Sequence, residues 1–567
     1  MKMRLLQTAG PALAVALLTL LPGCSPQPSQ PGQAGAAGAA TLARTWREFS
    51  KHDAIQMACF EQGWTGPEKD TDIVTPEIER RTNLLLKYEP ITVSTQEDIN
   101  QKLNLMVASG DVPEVYFGSA DEYSNQMYDK MGEAGLVWDV SGLLKGYKNI
   151  STLLAPELIF YRHKGGKANY SIPTQTGRGG DLLHNPPQGL YLRDELLTKL
   201  GMSYPTTPAE LATYLRRCRD EIKTIAGKPI IGWTCDEGFG GIEYAFVFPH
   251  FPIFTGQFGD SGLTFDVRDN FKVVNYLYTD SPELMRAAKY VSALYREGLI
   301  DREILTQKRA QYEEKISSGR VVAFNGDSWV MNSLSENAKA VAPDLMYVAP
   351  PPIMDRANGV PKYPDLKWTS WIGCYSTLTI SKKVSEEKTR HLLALLDYLA
   401  TRDGQILVQV GIEGKSFAYN AQGKFVFTDE FKKQTDDLDW NKMAAYGVSY
   451  WAQLVANFSA YGDLGAEYAG LLRADNLKGW ENYKSVWDRY DPKMKPDKSY
   501  YFRPGPVENE KRPAIDDAKN EMWVKVLQAK SDADVETIIH AWAQTCRNLG
   551  IDAIVQERAA TIAGLKI

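Results

Sequence analysis

The sequence predicts an α/β fold built on a parallel, doubly wound sheet. Two patterns predict it. Short apolar runs alternate with capped amphipathic helices in the order βαβαβ over residues 54–118, and strands separated by helices pair in parallel. The same helix punctuation then recurs to the end of the chain.

"AIQMACF" (54–60) is the first strand, followed by the Gly-rich turn "EQGWTG". "TPEIERRTNLLLKY" starts a helix with Thr75 as N-cap and Pro76 at the first helical position. "PITVST" is the next strand. "EDINQKLNLMVASGD" sets Ile99, Leu103 and Met106 on one helical face, and "VPEVYFG" (112–118) is the third strand. Further on, "PTTPAELATYLRR" has Thr207 as N-cap, Pro208 behind it and Glu210 to complete a capping box. "SPELMRAAKYVSALYREG" is closed by Gly298. "VSEEKTRHLLALLDYLATRDG" is a third late helix, and "DVETIIHAWAQTCRNLG" is the last, with Gly550 beyond it.

The 567 residues hold two to four domains' worth of core, and 44% hydrophobic with 24% charged residues is an ordinary globular balance. A net charge of −6 gives no basic field to draw in a nucleic-acid backbone. With 13 Trp and 29 Tyr, aromatics exceed what a core usually needs, and aromatic-lined ligand sites are one use for the surplus. After Cys24, five widely spaced cysteines remain (Cys59, Cys218, Cys235, Cys374 and Cys546), with no CxxC pair. Neither a zinc ribbon nor a disulfide scaffold is indicated, and buried free thiols are expected.

The first residues have their own logic. Lys2 and Arg4 precede an apolar stretch, Ala12 to Leu21, too short for a comfortable membrane span. "LPGC" (21–24) then resembles a bacterial lipobox, with Pro22 as a departure from the usual small residue. The resemblance implies a signal peptide over 1–23 and lipidation of Cys24; an ordinary signal peptide cut nearby is the alternative. Residues 25–40 are Ser, Pro, Gln, Gly and Ala only, so 24–43 reads as a flexible tether to the folded body.

Several enzymatic motifs fail. "GIEGKS" (411–416) has Gln409 where a P-loop needs glycine. There is no HExxH and no GxSxG elbow. The carboxylates of "DDLD" (436–439) are adjacent in a polar stretch, which suits a loop or helix cap better than a glycosidase pair.

Five phrases, in order, resemble the extracellular solute-binding proteins of ABC importers, family 1, and within it the large lipoproteins that serve oligosaccharide uptake. They are "ASGDVPEVYFGSADEY" (108–123), "MGEAGLVWDVSGLL" (131–144), "YSIPTQTGRGGDLLHNPPQGLYLRDELLTKLGMSYPTTPAEL" (170–211), "GRVVAFNGDSWVM" (319–331) and "YSTLTISKKVSEEKTRHLLALLDYLATRDGQILVQVGIEGKSF" (375–417). The resemblance implies a two-lobe periplasmic-binding-protein (Venus flytrap) fold, type II-like, with a ligand cleft between lobes that close by hinge motion. By analogy lobe one is 44–165 plus 376–432, and lobe two is 166–375 plus 433–567. Some large members carry an EF-hand-like calcium loop; here its place reads "CRDEIKTIAGKPI", without alternating oxygen ligands, so neither metal nor cofactor is expected.

A sugar needs aromatic plates for its C–H faces and polar side chains for its hydroxyl edges. Candidates should follow strands, at the cleft. They are Trp64, which is also readable as a surface turn; Ser119 and Asp121 after the third strand; and Gln175, Thr176 and Arg178 past the first crossing. Trp233, Glu237 and Phe239 run into glycines at a strand end. Sugar-binding relatives place an aromatic plate at the position of Trp329. Trp368 and Trp371 precede the second crossing, and Glu413 with Lys415 either reaches the cleft or stabilises a turn. Trp440, Tyr450 and Trp451 are candidates that also read as core, and Arg193 and Asp194 read as structural.

The expected function is binding without catalysis: a monomeric extracytoplasmic lipoprotein, lipid-anchored outside the membrane, captures an oligosaccharide or related glycan and delivers it to ABC permease subunits. A secreted glycan-degrading enzyme and a sensor or adhesin on the same lobes are the competing expectations.

Overall fold

β1 (Asp53–Glu61) is buried along most of its length, with Ile55, Met57, Ala58, Cys59 and Phe60 all shielded from water. A strand covered on both faces reads as a continuous apolar run, which is why "AIQMACF" carries little alternation. In a computed structural model of the chain, β1 lies between β2 (Leu84–Thr92) and β3 (Val115–Ser119), parallel to both. The structure describes residues 44–61, 66–93, 96–154, 158, 162–163, 166, 168–176, 189–236, 238–252, 262–266, 269–326, 334–335, 337–360, 374–455, 478–479, 481–482 and 502–565.

β2 starts earlier than the sequence suggested. Asn83 adopts a left-handed conformation (φ 55°) and ends the helix Thr75–Thr82, so "LLLKY" becomes strand rather than helix. Asn tolerates that conformation better than other non-glycine residues. Thr75 is inside the helix, and the Oδ1 of Asp72 accepts from the amides of Val74 and Thr75 instead.

Along the chain the strands continue with β4 (Ile172–Thr176), β5 (Leu190–Arg193), β6 (Thr224–Ile225), β7 (Lys228–Pro229), β8 (Ile231–Cys235), β9 (Leu263–Asp266), β10 (Lys272–Asn275), β11 (Val321–Asn325), β12 (Tyr347–Val348) and β13 (Cys374–Ile380). They make two main sheets. The first has the order β2-β1-β3-β13-β4, with β13 antiparallel to both neighbours. The second has the order β12-β5-β11-β8, with β11 parallel to β8 and antiparallel to β5.

Each sheet has its own core. The first gathers Ile55, Met57, Leu86, Val115, Ile172 and Leu378 with the helix Glu386–Leu399. The second gathers Leu192, Trp233, Phe246 and Val322 with the helix Pro282–Arg296 and the C-terminal helices Pro506–Gln528, Asp532–Leu549 and Ile551–Gly564. The expected caps are present: Thr207 with Glu210 forms the capping box, Ser281 accepts from Leu284 N, and Gly550 turns at φ 95°. Gly550 is not the end of helix, however, because Ile551–Gly564 follows directly.

Two expected lobe boundaries are corrected. β4 falls within the expected lobe two, but it pairs with β13 in the first sheet, where Ile172 opposes Leu378. The stretch 433–455 also falls within the expected lobe two. Its Met443, Val448, Tyr450 and Trp451 pack in the first core, and the Trp451 indole N–H donates to Thr75 Oγ1 at 2.7 Å. The physical reason is the same in both: an apolar strand or helix face goes where a complementary face is open.

Candidate functional site

Strand direction defines one edge on each sheet. In the first sheet β3 ends at Ser119, β4 ends at Thr176, and antiparallel β13 begins at Cys374 opposite Thr176. In the second, β8 ends at Cys235, β11 at Asn325 and β12 at Val348, while β5 begins at Leu190 opposite Asn325. The chain therefore leaves the first sheet at Thr176 to enter the second at Leu190, and leaves at Val348 to re-enter at Cys374. These two crossings use the same edge of each sheet, and that edge is the carboxyl edge, where open α/β sheets bind ligands.

At the first edge, Ser119 and Asp121 build a turn. Ser119 Oγ accepts from Asp121 N at 3.2 Å. Asp121 caps the helix Glu122–Glu133, accepting from Ser124 N at 2.9 Å and from Ser124 Oγ at 2.7 Å. Its two oxygens are thus engaged by Ser124, so Asp121 shapes the edge, while half-exposed Ser119 keeps a hydroxyl at its rim. Tyr128 fixes the same turn from below by donating to the Ser119 carbonyl at 2.7 Å. Burial pushes the Tyr128 phenol well above its usual range, so it stays a donor.

At the second edge, Trp233 is fully buried and its indole N–H donates to Asn325 Oδ1 at 2.9 Å. This corrects the expectation that Trp233 faces a ligand: a residue in the middle of a covered strand points its ring into the core. Trp451 is corrected likewise, being 1% exposed in a cluster with Tyr88 and Tyr450. Asp236, one residue past β8, pairs with Arg309 at 2.7 Å. Phe239 packs against the second core but keeps part of its surface exposed, and Trp440, at the start of the helix Trp440–Ala445, does the same against the first.

Glu413 and Lys415 are exposed in a turn that Ser416 ties down, its Oγ donating to Val410 O at 2.7 Å and accepting from Ile412 N at 2.9 Å. Trp64, Arg178, Glu237, Trp329, Trp368, Trp371 and Cys24 lie outside the described residues, and Gln175 and Thr176 are described only as backbone of β4. The "DDLD" carboxylates resolve as the cap reading has it: Asp439 accepts from Lys442 N at 3.1 Å at a helix start. The five cysteines after Cys24 are buried, and none of them is in a disulfide. Sequence reasoning missed Asn325, Gln307 and Lys315, which support the second edge; a polar Asn ending the apolar run "VVAF" was the one available signal.

Where a calcium loop would fall, the carboxylates have other partners. Asp220 is held by Arg219 at 2.7 Å and Glu221 by Arg217 at 2.5 Å, and these guanidinium groups lower both carboxyls below their ordinary range. Among the described residues no group of three or more His, Cys, Asp or Glu is placed to hold a metal ion. The donor set does not fit calcium.

No protein-family model matches the chain. Among curated proteins it is similar to lipoprotein LipO of Bacillus subtilis (strain 168), 22% identical over 354 residues, which are 62% of this chain and 65% of that protein. It is also similar to the fructooligosaccharide ABC transporter substrate-binding protein FusA of Streptococcus pneumoniae serotype 4, 24% identical over 243 residues, 41% of this chain and 42% of FusA. The chain thus matches under two thirds of the length of either relative. Among solved structures, an HMO-binding ABC-transporter-associated solute-binding protein from Bifidobacterium longum infantis superposes at a TM-score of 0.61, with 16% identity over 90% of this chain and 99% of that one. FusA in complex with kestose superposes at 0.60, with 16% identity over 89% and 98%. The chain has the two-lobe solute-binding-protein fold. Within that fold the two sheets are the lobes, and the chain passes from one to the other after Thr176, back before Cys374 and over again after Val455, since 433–455 pack in the first core and Pro506–Gln528 in the second. Among the described residues no helix is long and apolar enough to cross a membrane.

Proposed function

We propose that this protein is the substrate-binding lipoprotein of an ABC importer, taking an oligosaccharide or related glycan between its lobes and delivering it to a membrane permease. The observation that carries the reading is the placement of the crossings after β4 and after β12 at the carboxyl edges of the two sheets. That arrangement turns the ligand-favoured edges toward a shared space between lobes that close by hinge motion. The carbohydrate class is supported by what FusA and the HMO-binding protein are named for binding. Binding is the whole activity: closure about the ligand marks the form that docks, and a ligand drives closure only by its better affinity for the closed form. Ser119, Phe239 and Trp440 are the site residues proposed from the described part of the chain, and Trp64, Arg178, Glu237, Trp329, Trp368 and Trp371 are proposed from their sequence positions alone. Lipid attachment at Cys24 would hold the protein at the outer face of the membrane and keep its local concentration near the permease high.

Thermal shift and calorimetry against kestose, lacto-N-tetraose, an alginate oligomer and non-sugar controls test this. A sugar that binds raises the melting temperature with the logarithm of its concentration over Kd. A shift from an amino acid or peptide with none from any sugar refutes the glycan assignment, and steady conversion of a glycan to products refutes the non-enzymatic one. Mass spectrometry of the mature N-terminus tests Cys24.

A further inference from the structure

One helix braces the carboxyl edge of the second sheet. Along Arg309–Ser317, residues Arg309, Tyr312 and Lys315 recur every third position and share a face. Arg309 reaches Asp236, just past β8, at 2.7 Å. The Tyr312 hydroxyl donates to the Asn325 carbonyl at the end of β11 at 2.7 Å. The Lys315 ammonium, in a residue only 5% exposed, donates to Asp301 Oδ2 at 2.7 Å and to Gln307 Oε1 at 2.8 Å.

The directions of these bonds are forced. An ammonium can only donate, so the oxygen of the Gln307 amide must face Lys315 and its NH2 must face the other way. That NH2 donates to Thr234 Oγ1 at 2.9 Å and to the Cys235 carbonyl. The Thr234 hydroxyl, having accepted, donates its own proton to Asp301 Oδ2 at 3.0 Å. The loop closes with no alternative orientation. Gln307 is 3% exposed and Thr234 fully buried, so water cannot substitute for a lost partner.

A buried ion pair is a poor device for stability alone, because desolvation offsets the Coulomb gain. Its other use is to fix one geometry. Here the geometry fixed is the peptide between Cys235 and Asp236, the last of β8. With its carbonyl held by Gln307, the planar trans peptide turns the Asp236 N–H to the opposite side. We propose that Gln307, oriented by the Lys315–Asp301 pair, is a positioning residue that sets the backbone of the ligand-facing loop after β8. The ligand part of this proposal rests on the solute-binding reading above; the backbone part does not.

The test compares Gln307→Met and Gln307→Glu with Gln405→Met in the mature protein. Gln307→Glu keeps the volume and still accepts from Lys315, but it cannot donate to Cys235. Gln405 is an equally buried amide that donates to Leu399 O at 2.8 Å in the first lobe, away from either edge. Hydrogen exchange of peptides covering 235–242 should speed up about tenfold or more in both Gln307 variants and stay unchanged in Gln405→Met. For whichever of kestose and lacto-N-tetraose the wild type binds, Kd should rise about tenfold or more in the Gln307 variants alone, with the melting temperature of all three variants lowered similarly. Unchanged exchange at 235–242, or the same change in Gln405→Met, overturns the proposal. An unchanged Kd alongside faster exchange overturns its ligand part. If the wild type binds neither sugar, that outcome counts against the glycan reading, and exchange alone decides the positioning role.

Discussion

The indole N–H of Trp233, in the middle of β8, donates over 2.9 Å to Oδ1 of Asn325, the last residue of the adjacent parallel strand β11. Both partners are buried, so the bond is made where water cannot compete. Trp233→Phe keeps a ring in the core and removes only that donor. It should lower unfolding free energy by about 1–3 kcal/mol in urea titration, the cost of a buried polar group losing a partner. Trp233→Ala should cost about 3–5 kcal/mol, because a cavity is added. Equal losses for the two would show that the bond, and not ring volume, is what matters.

Gly232, one residue earlier in β8, packs against backbone. A Cβ there would overlap the carbonyl oxygen of Leu299, the same oxygen that accepts from Trp233 N at 2.9 Å. Relief requires the strand to move away from Leu299 and Ile300. Gly232→Ala should therefore destabilise by about 1–3 kcal/mol. Gly142→Ala, with nothing within 4 Å of the new methyl, should stay within about 0.5 kcal/mol of wild type. Thermal melts of the two variants side by side decide it.

The alternation of strand and capped helix was readable from local chemistry: Thr207 and Glu210, Ser281 and Gly550 each sit where the pattern put them, because caps depend on residues three or four apart. What local chemistry does not encode is which sheet receives an apolar segment. Ile172 and Trp451 read the same whether their partners are Leu378 and Thr75 or residues of the other lobe. The same limit explains Trp233. A tryptophan near a strand end is a core residue or a ligand plate depending on which face the pleat presents, and one residue of register reverses the answer. The buried support of the second edge was invisible because Thr234, Asp301, Gln307 and Lys315 meet across 81 residues of chain.

His250 should make stability fall in mild acid. Its Nδ1 lies 2.7 Å from Asp355 Oδ2, and its Nε2 is buried with no hydrogen-bond partner among the described residues. A second proton would place an N–H and a charge where nothing accepts them. Burial is the main cause that lowers the His250 pKa; Asp355 opposes it and nearby Arg286 adds to it. The unfolded chain takes up a proton below about pH 6.5 while the folded ring stays neutral, so this contribution is complete above that pH and is lost as pH falls below it. The stability difference between wild type and His250→Asn should shrink between about pH 7 and about pH 5. A constant difference over that range would mean that the ring takes up its proton equally in the folded and the unfolded chain.

Arg558 and Glu508 tie the C-terminal helices to the second lobe. Arg558 is 1% exposed and Glu508 3%; the guanidinium donates to both carboxylate oxygens, at 2.8 and 2.5 Å, and to the Leu263 carbonyl at 2.6 Å. Three elements thus meet at one side chain: the helices Ile551–Gly564 and Pro506–Gln528 and the first residue of β9. Arg558→Met keeps the apolar stem packed near Phe502 but leaves Glu508 with Arg512 as its remaining cation, at 3.1 Å. The expected loss is about 3–5 kcal/mol, mostly the penalty of a buried carboxylate short of a partner. Replacing Glu508 by Gln in the same chain removes that penalty, so the double variant should be more stable than Arg558→Met despite carrying one more change. Urea unfolding of the two single variants and the double gives the coupling directly; strict additivity would show that the pair is two independent packing contacts.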